Sequence, residues 1–417
     1  MSTMKPSRKL LFVLCPMLVL GFIYYSSGKL HLNVWGQKPD KGNLSTTTVA
    51  TTTTTTTPGR DKAKEPTAAP VKVEKKAPPA KEPVAEPSLT VGQVVAPVYD
   101  KQGFLLKLDG KLPQDLVYKY GNLSEGTCKP GYVAAKMTSI YPKFVKTAPM
   151  FLDKNFKRLG KVNIYLPPFG FKTQERIIDV ILTATKNYGL SPELESLSCR
   201  RCIVIGNGGI LTNKSLGSHI DEYDIIVRLN EAPVNGFQKD VGSKTTIRIT
   251  YPEGAIQKPE RYEKDSLFVF SAFKPQDFKW LQKMVFKEKL RGSEGFWKSV
   301  ALQVPKEPSE MRILNPYFIQ EAAFQFIGLP LNNGIMGKGN IPTLGTVAIT
   351  MALHNCDEVA VAGFGYDMTR PQAPLHYYEK VKMSAIRESW THNISKEKEF
   401  LRKLVKAKVI TDLTNGI

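Results

Sequence analysis

Two of the five histidines in the chain lie in polar, aromatic-rich segments near its carboxyl terminus. His376 belongs to LHYYE and His392 to WTHNISKE. Histidine can give or take a proton near neutral pH because its ordinary pKa is about 6.5. Either residue could therefore act in acid–base chemistry or stabilise a developing negative charge, and a packing role is the alternative for each. Of the other three, His31 lies in the stem, His219 is typical of a surface position on a helix, and His354 of a packing position.

A second segment with chemical potential is CRRCIVIGNGG, which contains Cys199 and Cys202. A redox dithiol would open a helix, whereas this pair opens a strand-like run. A zinc site would need a second closely spaced pair, but Cys128 and Cys356 are single and distant. Cys15 lies in an apolar N-terminal run, which leaves an even number of cysteines for the rest of the chain. We therefore interpret the pair as two disulfide anchors, one for each distant cysteine.

The residues after these cysteines predict a strand, a loop, a helix and a second strand. CIVIG is a buried strand, GNGG a sharp loop, LTNKSLGSHIDEY a helix, and DIIVRLN a strand that ends at Asn230. Strands that alternate with helices favour a parallel, Rossmann-like sheet. Glycine N–H groups and a helix N-terminus suit a phosphate. Because Leu211 replaces the third glycine of GxGxxG, a purely structural turn stays equally open.

A second unit of this kind covers residues 341–368. It predicts a polar loop with Gly345, an amphipathic helix to about Asn355 and a strand, EVAVAG, followed by FGYDM. Ligands of open α/β sheets collect outside the carboxyl ends of the strands. We therefore expect GNGG, RLN and GFGYD to meet at one ligand. A bridge between Cys202 and Cys356 would tie the two units together.

The N-terminus predicts a membrane anchor. Residues 10–27 contain no charge, and their 18 positions can just span a bilayer core of about 30 Å. Basic residues precede the run, which favours a cytoplasmic tail over residues 1–9. A cleaved signal peptide is the alternative, but the run is too long and lacks an A-x-A-like site. We expect a single-pass type II membrane protein, with everything after about residue 28 in the secretory lumen.

Residues 28–95 are rich in threonine, proline and lysine, and predict a disordered stem. The stem is either an O-glycosylated stalk or a plain spacer. Residues 96–417 have the composition of one globular domain. The net charge of +20 suits anionic ligands, and no nucleic-acid-binding motif accompanies it. Four sequons are candidate N-glycosylation sites: Asn43, Asn122, Asn213 and Asn393.

Four segments together resemble the motifs of the animal sialyltransferase family. CRRCIVIGNGG…TYPEG is similar to the long sialyl motif and PTLGTVAITMALHNCDEVAVAGFG to the short one. HYYE is similar to the third motif and HNISKE to the very short H-x4-E motif, in the order of the family. The resemblance implies a single Rossmann-like domain of the modified type-A glycosyltransferase kind, with a mostly parallel central sheet. It also implies a Cys202–Cys356 bridge, with Cys128 paired to Cys199.

The resemblance implies an inverting transfer of N-acetylneuraminic acid from CMP-sialic acid. The acceptor would be the 3-hydroxyl of terminal galactose in Galβ1-3GlcNAc or Galβ1-4GlcNAc chains of glycoproteins and glycolipids. No cofactor or metal is expected, since the chain has no D-x-D pair. A membrane-tethered lectin for sialic acid or galactose and a nicotinamide-dependent Rossmann enzyme are the alternatives. CMP release would exclude the lectin, and NADH titration would test the oxidoreductase.

The resemblance also assigns roles to individual residues. His392 would be the general base and His376 would contact the departing phosphate. Glu397 would position its loop, or is a solvated residue at a helix start. Tyr251 is a weaker candidate for the phosphate end, and a core role is equally open. The remaining positions would bind the donor nucleotide: Asn207, Asn230, Thr343, Gly345, Gly363, Phe364 and Gly365. Two tryptophans could stack on a sugar, although we favour core positions for both: Trp280 and Trp297.

Overall fold

The fold was obtained as a computed structural model. It describes residues 127–145, 148–290, 295–334, 339–388 and 391–417, together with two short strands that precede them. All of these belong to one compact unit, residues 89–417. The predicted tail, anchor and stem lie outside the described residues. Within the described residues, no helix has the length and apolarity that a membrane span requires.

Nine strands are formed by the described residues. Two of them form an antiparallel pair: β1 (Val98–Tyr99) and β2 (Leu105–Lys107). The others form the central sheet: β3 (Arg201–Ile205), β4 (Ile225–Leu229), β5 (Ile247–Thr250), β6 (Leu267–Phe270), β7 (Met311–Ile313), β8 (Glu358–Ala362) and β9 (Ile410–Asp412). The order of the sheet is β7-β6-β5-β4-β3-β8-β9, and every pair is parallel. The three predicted strands are confirmed as β3, β4 and β8.

The helices lie between the strands along the chain. They are α1 (Tyr132–Ile140), α2 (Gly160–Asn163), α3 (Glu175–Thr185), α4 (Pro192–Glu195), α5 (Gly217–Ile220), α6 (Gln238–Val241), α7 (Pro275–Val285), α8 (Tyr317–Gln320), α9 (Leu344–Asn355) and α10 (Ile394–Lys406). A π-helix, Glu321–Ile327, continues α8. The strands at the centre of the sheet are buried on both faces, and most of their side chains are apolar.

The topology fixes where a ligand can bind. The chain runs outward from β3 through β4, β5 and β6 to β7, and then returns to place β8 on the other side of β3. Parallel sheets bind ligands outside the carboxyl ends of the strands, at the point where the strand order reverses. The ends of β3 and β8 form that point, since Ile205 is in register with Ala362.

The prediction of a helix directly after the GNGG loop is wrong. A 3₁₀ turn at Gly209–Leu211 and the four-residue α5 occupy the region. Asn213 and Ser215 have positive φ angles of 61° and 53°, so the backbone cannot continue as a helix. The Asp240 carboxylate accepts hydrogen bonds from both of their N–H groups, at 2.9 and 2.8 Å. This side-chain contact stabilises a loop in place of the helix.

Helix α9 is present where it was predicted, but it is not amphipathic. Every residue from Leu344 to His354 is buried, since the helix packs between the sheet, α1 and the π-helix. His354 is a packing histidine, paired with the buried Glu321 of the π-helix. Trp280 of α7 is also in the core, where its indole N–H donates to the Ala301 carbonyl at 2.9 Å.

Two disulfides hold the domain, Cys128–Cys199 and Cys202–Cys356, with the pairing that the resemblance implied. Cys202 lies in β3, and Cys356 follows α9 directly before β8. The second bridge therefore joins the two halves of the chain that meet at the switch point.

Two of the sequons lie in the described residues. Asn213 is exposed in the loop after β3. Asn393 caps α10, where its side-chain oxygen accepts from the Lys396 N–H at 3.1 Å. Asn43 and Asn122 lie outside the described residues.

Candidate active site

Residues that follow the carboxyl ends of neighbouring strands surround one cavity of about 590 Å³. Asn207 follows β3, Asn230 follows β4 and Tyr251 follows β5, while Phe273 and Gly363 follow β6 and β8. All these side chains meet at one edge because the strands are parallel. A concave site of this size at a switch point is suited to a small molecule such as a nucleotide.

The cavity brings together most of the residues that were predicted from sequence. These line it: Asn207, Asn230, Tyr251, Thr343, Gly345, Gly363, Phe364, His376 and His392. Gly365 and Glu397 do not. Gly365 has a φ of 88°, and a Cβ there would lie 1.7 Å from the Gly416 carbonyl oxygen, so this glycine is required for packing of the C-terminus. Glu397 is buried behind the cavity wall.

The glycine loop is not the open phosphate cradle that we considered. The N–H groups of Gly206 and Gly208 donate to the carbonyls of Ala362 and Gly363, at 2.8 and 3.0 Å. A Cβ at Gly206 would lie 2.5 Å from the Gly363 oxygen. The glycines therefore allow the two ends of the switch point to pack against each other.

The third motif pairs with the glycine loop. Gly208 and His376 form an antiparallel bridge, and the Tyr377 N–H donates to the Asn207 carbonyl at 3.1 Å. The Asn207 amide donates to the Tyr378 hydroxyl at 3.4 Å. Its Oδ1 is buried and has no hydrogen-bond partner among the described residues, which leaves it available to a ligand. This pairing places His376 at the end of the cavity formed by the loops after β3 and β8.

His376 is held on two sides. Its Nδ1 contacts the Glu379 carboxylate, and its ring stacks on Tyr378 with centroids 5.4 Å apart and an interplanar angle of 11°. Nε2 is therefore the nitrogen that remains for a ligand. Burial raises the pKa of Tyr378 above its ordinary value, so this hydroxyl stays protonated. Tyr378 and Glu379 were overlooked as site residues, although both lie in the HYYE segment.

The hydrogen bonding of His392 fixes its tautomer. Nδ1 lies 2.8 Å from the Ile341 carbonyl oxygen. A carbonyl only accepts, so Nδ1 carries the hydrogen and the neutral ring has its lone pair on Nε2. The Ile341 N–H in turn donates to the Thr391 carbonyl at 3.3 Å. His392 is therefore oriented as a proton acceptor at the cavity wall.

Glu397 positions the start of α9 and is not solvated. Its carboxylate accepts from the Thr343 N–H at 3.0 Å, from the Thr343 hydroxyl at 2.6 Å and from the Thr346 hydroxyl at 2.5 Å. Burial raises the pKa of Glu397, and a positive charge on His392, when that ring is protonated, opposes the rise. The H-x4-E spacing thus connects the cavity histidine to the N-terminus of α9, which lines the cavity at Thr343 and Gly345.

Tyr251 and Asn230 offer polar side-chain groups to a ligand in the cavity, either to an anion or to a nucleobase. Tyr251 packs edge-on against Phe273, with centroids 4.8 Å apart, and burial raises its pKa to about 12. Its hydroxyl therefore stays a donor at neutral pH. Asn230 has a φ of 53°, and its carbonyl accepts from buried Arg248 at 2.8 Å. The backbone is thus fixed where the amide faces the cavity.

One side of the cavity is formed by residues that the sequence analysis did not predict as site residues. Lys274 lies there and contacts the carboxylates of Glu253 at 2.6 Å and Asp277 at 2.8 Å. Trp297 also lines the cavity and is 67% exposed, so its predicted core position is wrong. No periodic pattern in SEGFWKS separates an exposed tryptophan from a buried one, whereas Trp280 lies in an amphipathic helix.

A parallel sheet covered on both faces, with a cavity at its switch point, defines an open α/β protein. The sequence model of glycosyltransferase family 29 (sialyltransferase) matches residues 151–409. The chain therefore belongs to glycosyltransferase family 29, the sialyltransferases.

Several relatives are similar over most of the chain. The CMP-N-acetylneuraminate-beta-1,4-galactoside alpha-2,3-sialyltransferases of Homo sapiens and Mus musculus are 59% and 60% identical over 410 residues, which cover 98% of this chain and 98% of each relative. The lactosylceramide alpha-2,3-sialyltransferase of Homo sapiens is 41% identical over 295 residues, 70% of this chain and 71% of that protein.

A solved structure has the same fold. The crystal structure of a mammalian sialyltransferase in complex with Gal-beta-1-3GalNAc-ortho-nitrophenol matches with a TM-score of 0.52 at 23% identity, over 69% of this chain and 98% of that one. The lectin and the nicotinamide-dependent enzyme find no support in these comparisons.

Proposed function

We propose that this protein transfers N-acetylneuraminic acid from CMP-sialic acid to the 3-hydroxyl of terminal galactose in Galβ1-3GlcNAc and Galβ1-4GlcNAc chains. The observation that carries the proposal is the pair of histidines on one cavity, each with Nδ1 already engaged. The alpha-2,3-sialyltransferases that are 59–60% identical over 98% of the chain support the choice of donor and linkage.

His392 supplies the base in this proposal. Nε2 accepts the proton of the galactose 3-hydroxyl while that oxygen forms a bond to C2 of the sialic acid. The bond between C2 and the phosphate oxygen breaks, and its electron pair leaves with CMP. A single displacement inverts the configuration at C2. The Ile341 carbonyl holds the ring and accepts from the Nδ1–H that stays on the imidazolium.

In this proposal, His376 and Tyr251 stabilise the leaving group by donating hydrogen bonds to its phosphate. Charge develops on the phosphate as the bond to C2 breaks, and donors that are already in place stabilise it. An imidazolium at His376 would give Nδ1–H to Glu379 and Nε2–H to a phosphate oxygen. The hydroxyl of Tyr251 is a second donor, because its raised pKa keeps it protonated. Asn207 and Asn230 would bind the nucleotide.

The direct test measures CMP released from CMP-sialic acid by the secreted lumenal domain, with and without N-acetyllactosamine. We expect release that depends on the acceptor and matches the sialylated product one to one. A lectin would bind either sugar and release no CMP. Binding of NADH in a fluorescence titration, without CMP release, would favour an oxidoreductase.

We also propose that the protein works in the Golgi lumen as a type II membrane protein. Two disulfides suit an oxidising compartment, and residues 10–27 would supply the anchor. Residues 28–95 would then separate the catalytic domain from the membrane.

Replacing His376 by alanine should weaken nucleotide binding as well as turnover. Loss of one hydrogen bond to a charged group corresponds to a roughly 10- to 100-fold weaker affinity for CMP. Titration of CMP and initial rates measure the two effects. His219→Ala is the matched control, because His219 is an exposed histidine outside the cavity. Wild-type CMP affinity in His376→Ala would show that this residue does not bind the phosphate.

Activity should be independent of divalent metal ions. CMP leaves with one phosphate, and histidine together with hydroxyl donors can neutralise the charge that develops on it. We expect the full rate in excess EDTA and no increase with manganese. Loss of activity in EDTA that manganese restores would contradict this mechanism.

A further inference from the structure

Trp297 is a large apolar side chain at the solvent side of the cavity. It lines the cavity, and 67% of its surface is exposed. A tryptophan this exposed gives up most of the free energy that burial of its ring would supply. An indole face open to a ligand cavity is suited to stack on an apolar surface that the ligand provides.

The side chains around Trp297 are fixed by charge contacts. Lys298 Nζ lies 5.5 Å from the centre of the Trp297 ring and 3.5 Å from the Glu231 carboxylate. The preceding ring, Phe296, lies 4.8 Å from Lys274 Nζ, which is itself bound to Glu253. These contacts anchor the segment to the loops that follow β4 and β6.

Glu253 adds a group that a polar ligand would satisfy. The residue is fully buried and lines the cavity, and its Oε2 has no hydrogen-bond partner among the described residues. A buried carboxylate oxygen without a partner is costly, and a ligand hydroxyl could donate to it. An aromatic face next to carboxylates and a lysine is suited to a pyranose, which has a C–H face and hydroxyls at its edge.

The position of Trp297 and its neighbours favours the acceptor sugar over the donor nucleotide as the ligand bound there. The proposed nucleotide end lies at β3 and β8, whereas the Trp297 segment contacts Lys274 after β6 through Phe296, about 14 Å from β3 at the usual strand spacing, and reaches Glu231 after β4 through Lys298. The acceptor glycan is attached to a protein or a lipid, so its chain must leave the cavity towards solvent. An exposed aromatic side chain lies on that exit path, whereas the reacting sialic acid must be enclosed.

We propose that Trp297, with Lys298 and Glu231 at its edge, binds the sugar that precedes the acceptor galactose, an N-acetylhexosamine. This subsite rests on the proposed function and deepens it, since it would make the enzyme select a disaccharide end over galactose alone. The ring of that sugar stacks on the indole, and its hydroxyls reach the Glu231 carboxylate and the Lys298 ammonium group.

The test compares kcat/KM for Galβ1-4GlcNAc and for methyl β-galactoside in the wild-type protein, Trp297→Ala and Trp297→Phe. We expect the disaccharide-to-monosaccharide ratio to fall about tenfold in Trp297→Ala and two- to threefold in Trp297→Phe. The KM for CMP-sialic acid should stay at its wild-type value. Leu302→Ala is the matched control, because Leu302 is 64% exposed in the same segment and does not line the cavity. Its ratio should not change.

Three other results for the Trp297 variants would contradict the subsite. An equal loss on both acceptors would mean that Trp297 shapes the cavity, and an unchanged ratio would mean that it contacts no sugar. A raised KM for CMP-sialic acid would assign the ring to the donor. A wild-type protein that sialylates neither acceptor would instead refute the proposed function. Product formation with an unaltered ratio would refute this inference alone.

Discussion

Replacement of His392 by alanine should lower turnover by about 10²- to 10⁴-fold, the usual contribution of a general base. The residue offers Nε2 to the cavity because Nδ1 is engaged by the Ile341 carbonyl. Binding of CMP should stay near its wild-type value, since in the proposed mechanism the base contacts the acceptor and not the nucleotide. Initial rates, CMP affinity and melting temperature of the purified variant measure these three quantities.

The outcomes separate catalysis from packing. If His392 only packs, His392→Ala would lose rate and melting temperature together. Added imidazole should restore part of the rate of His392→Ala if the missing group is a base, and should do nothing for His219→Ala, whose histidine lies on the exposed surface. A normally folded His392→Ala protein with wild-type turnover would eliminate this assignment.

Removal of the Cys202–Cys356 bridge should destabilise the domain by about 5 kcal/mol. The bridge closes a loop with a sequence separation of 154 residues, and in the chain-entropy model a loop of that length contributes this amount. For a domain of this size the loss corresponds to a melting temperature lower by on the order of 8 °C. The variant to measure is Cys202→Ala with Cys356→Ala, followed by thermal unfolding and by activity.

The other bridge supplies the control. Cys128–Cys199 closes a shorter loop, with a separation of 71 residues, and both of its cysteines are only partly buried. Its removal should cost somewhat less, about 4 kcal/mol in the same model, and should leave CMP affinity intact at temperatures where the protein is folded. Peptide mapping that found Cys199 bonded to Cys202 would contradict both assignments, and an unchanged melting temperature would contradict the magnitude.

The sequence predicted the centre of the fold because its strands are short, mostly apolar runs that alternate with helix-like segments. CIVIG, DIIVRLN and EVAVAG are typical of strands in a parallel sheet that is covered on both faces. The helix after GNGG failed for a local reason: Asp240, distant in sequence, bonds the loop N–H groups and stabilises positive φ angles at Asn213 and Ser215. Helical spacing carries no information about such a contact.

The site was predicted in part. The family motifs gave the positions of His376 and His392, but the tautomer of His392 depends on the carbonyl of Ile341, fifty-one positions away. The role of Glu397 depends in the same way on the hydroxyls of α9, which tertiary packing brings to it. Trp297 was placed in the core because burial is the usual fate of tryptophan. Its exposure follows from a loop whose course the sequence pattern does not determine.

The central claim is that this cavity joins sialic acid to the 3-hydroxyl of galactose with inversion. The most direct measurement is the NMR spectrum of the product that the secreted domain forms from CMP-sialic acid and Galβ1-4GlcNAc. The account predicts a single α-linked sialic acid on carbon 3 of galactose. A product linked at another carbon, a β-linked product, or free sialic acid without transfer would contradict it.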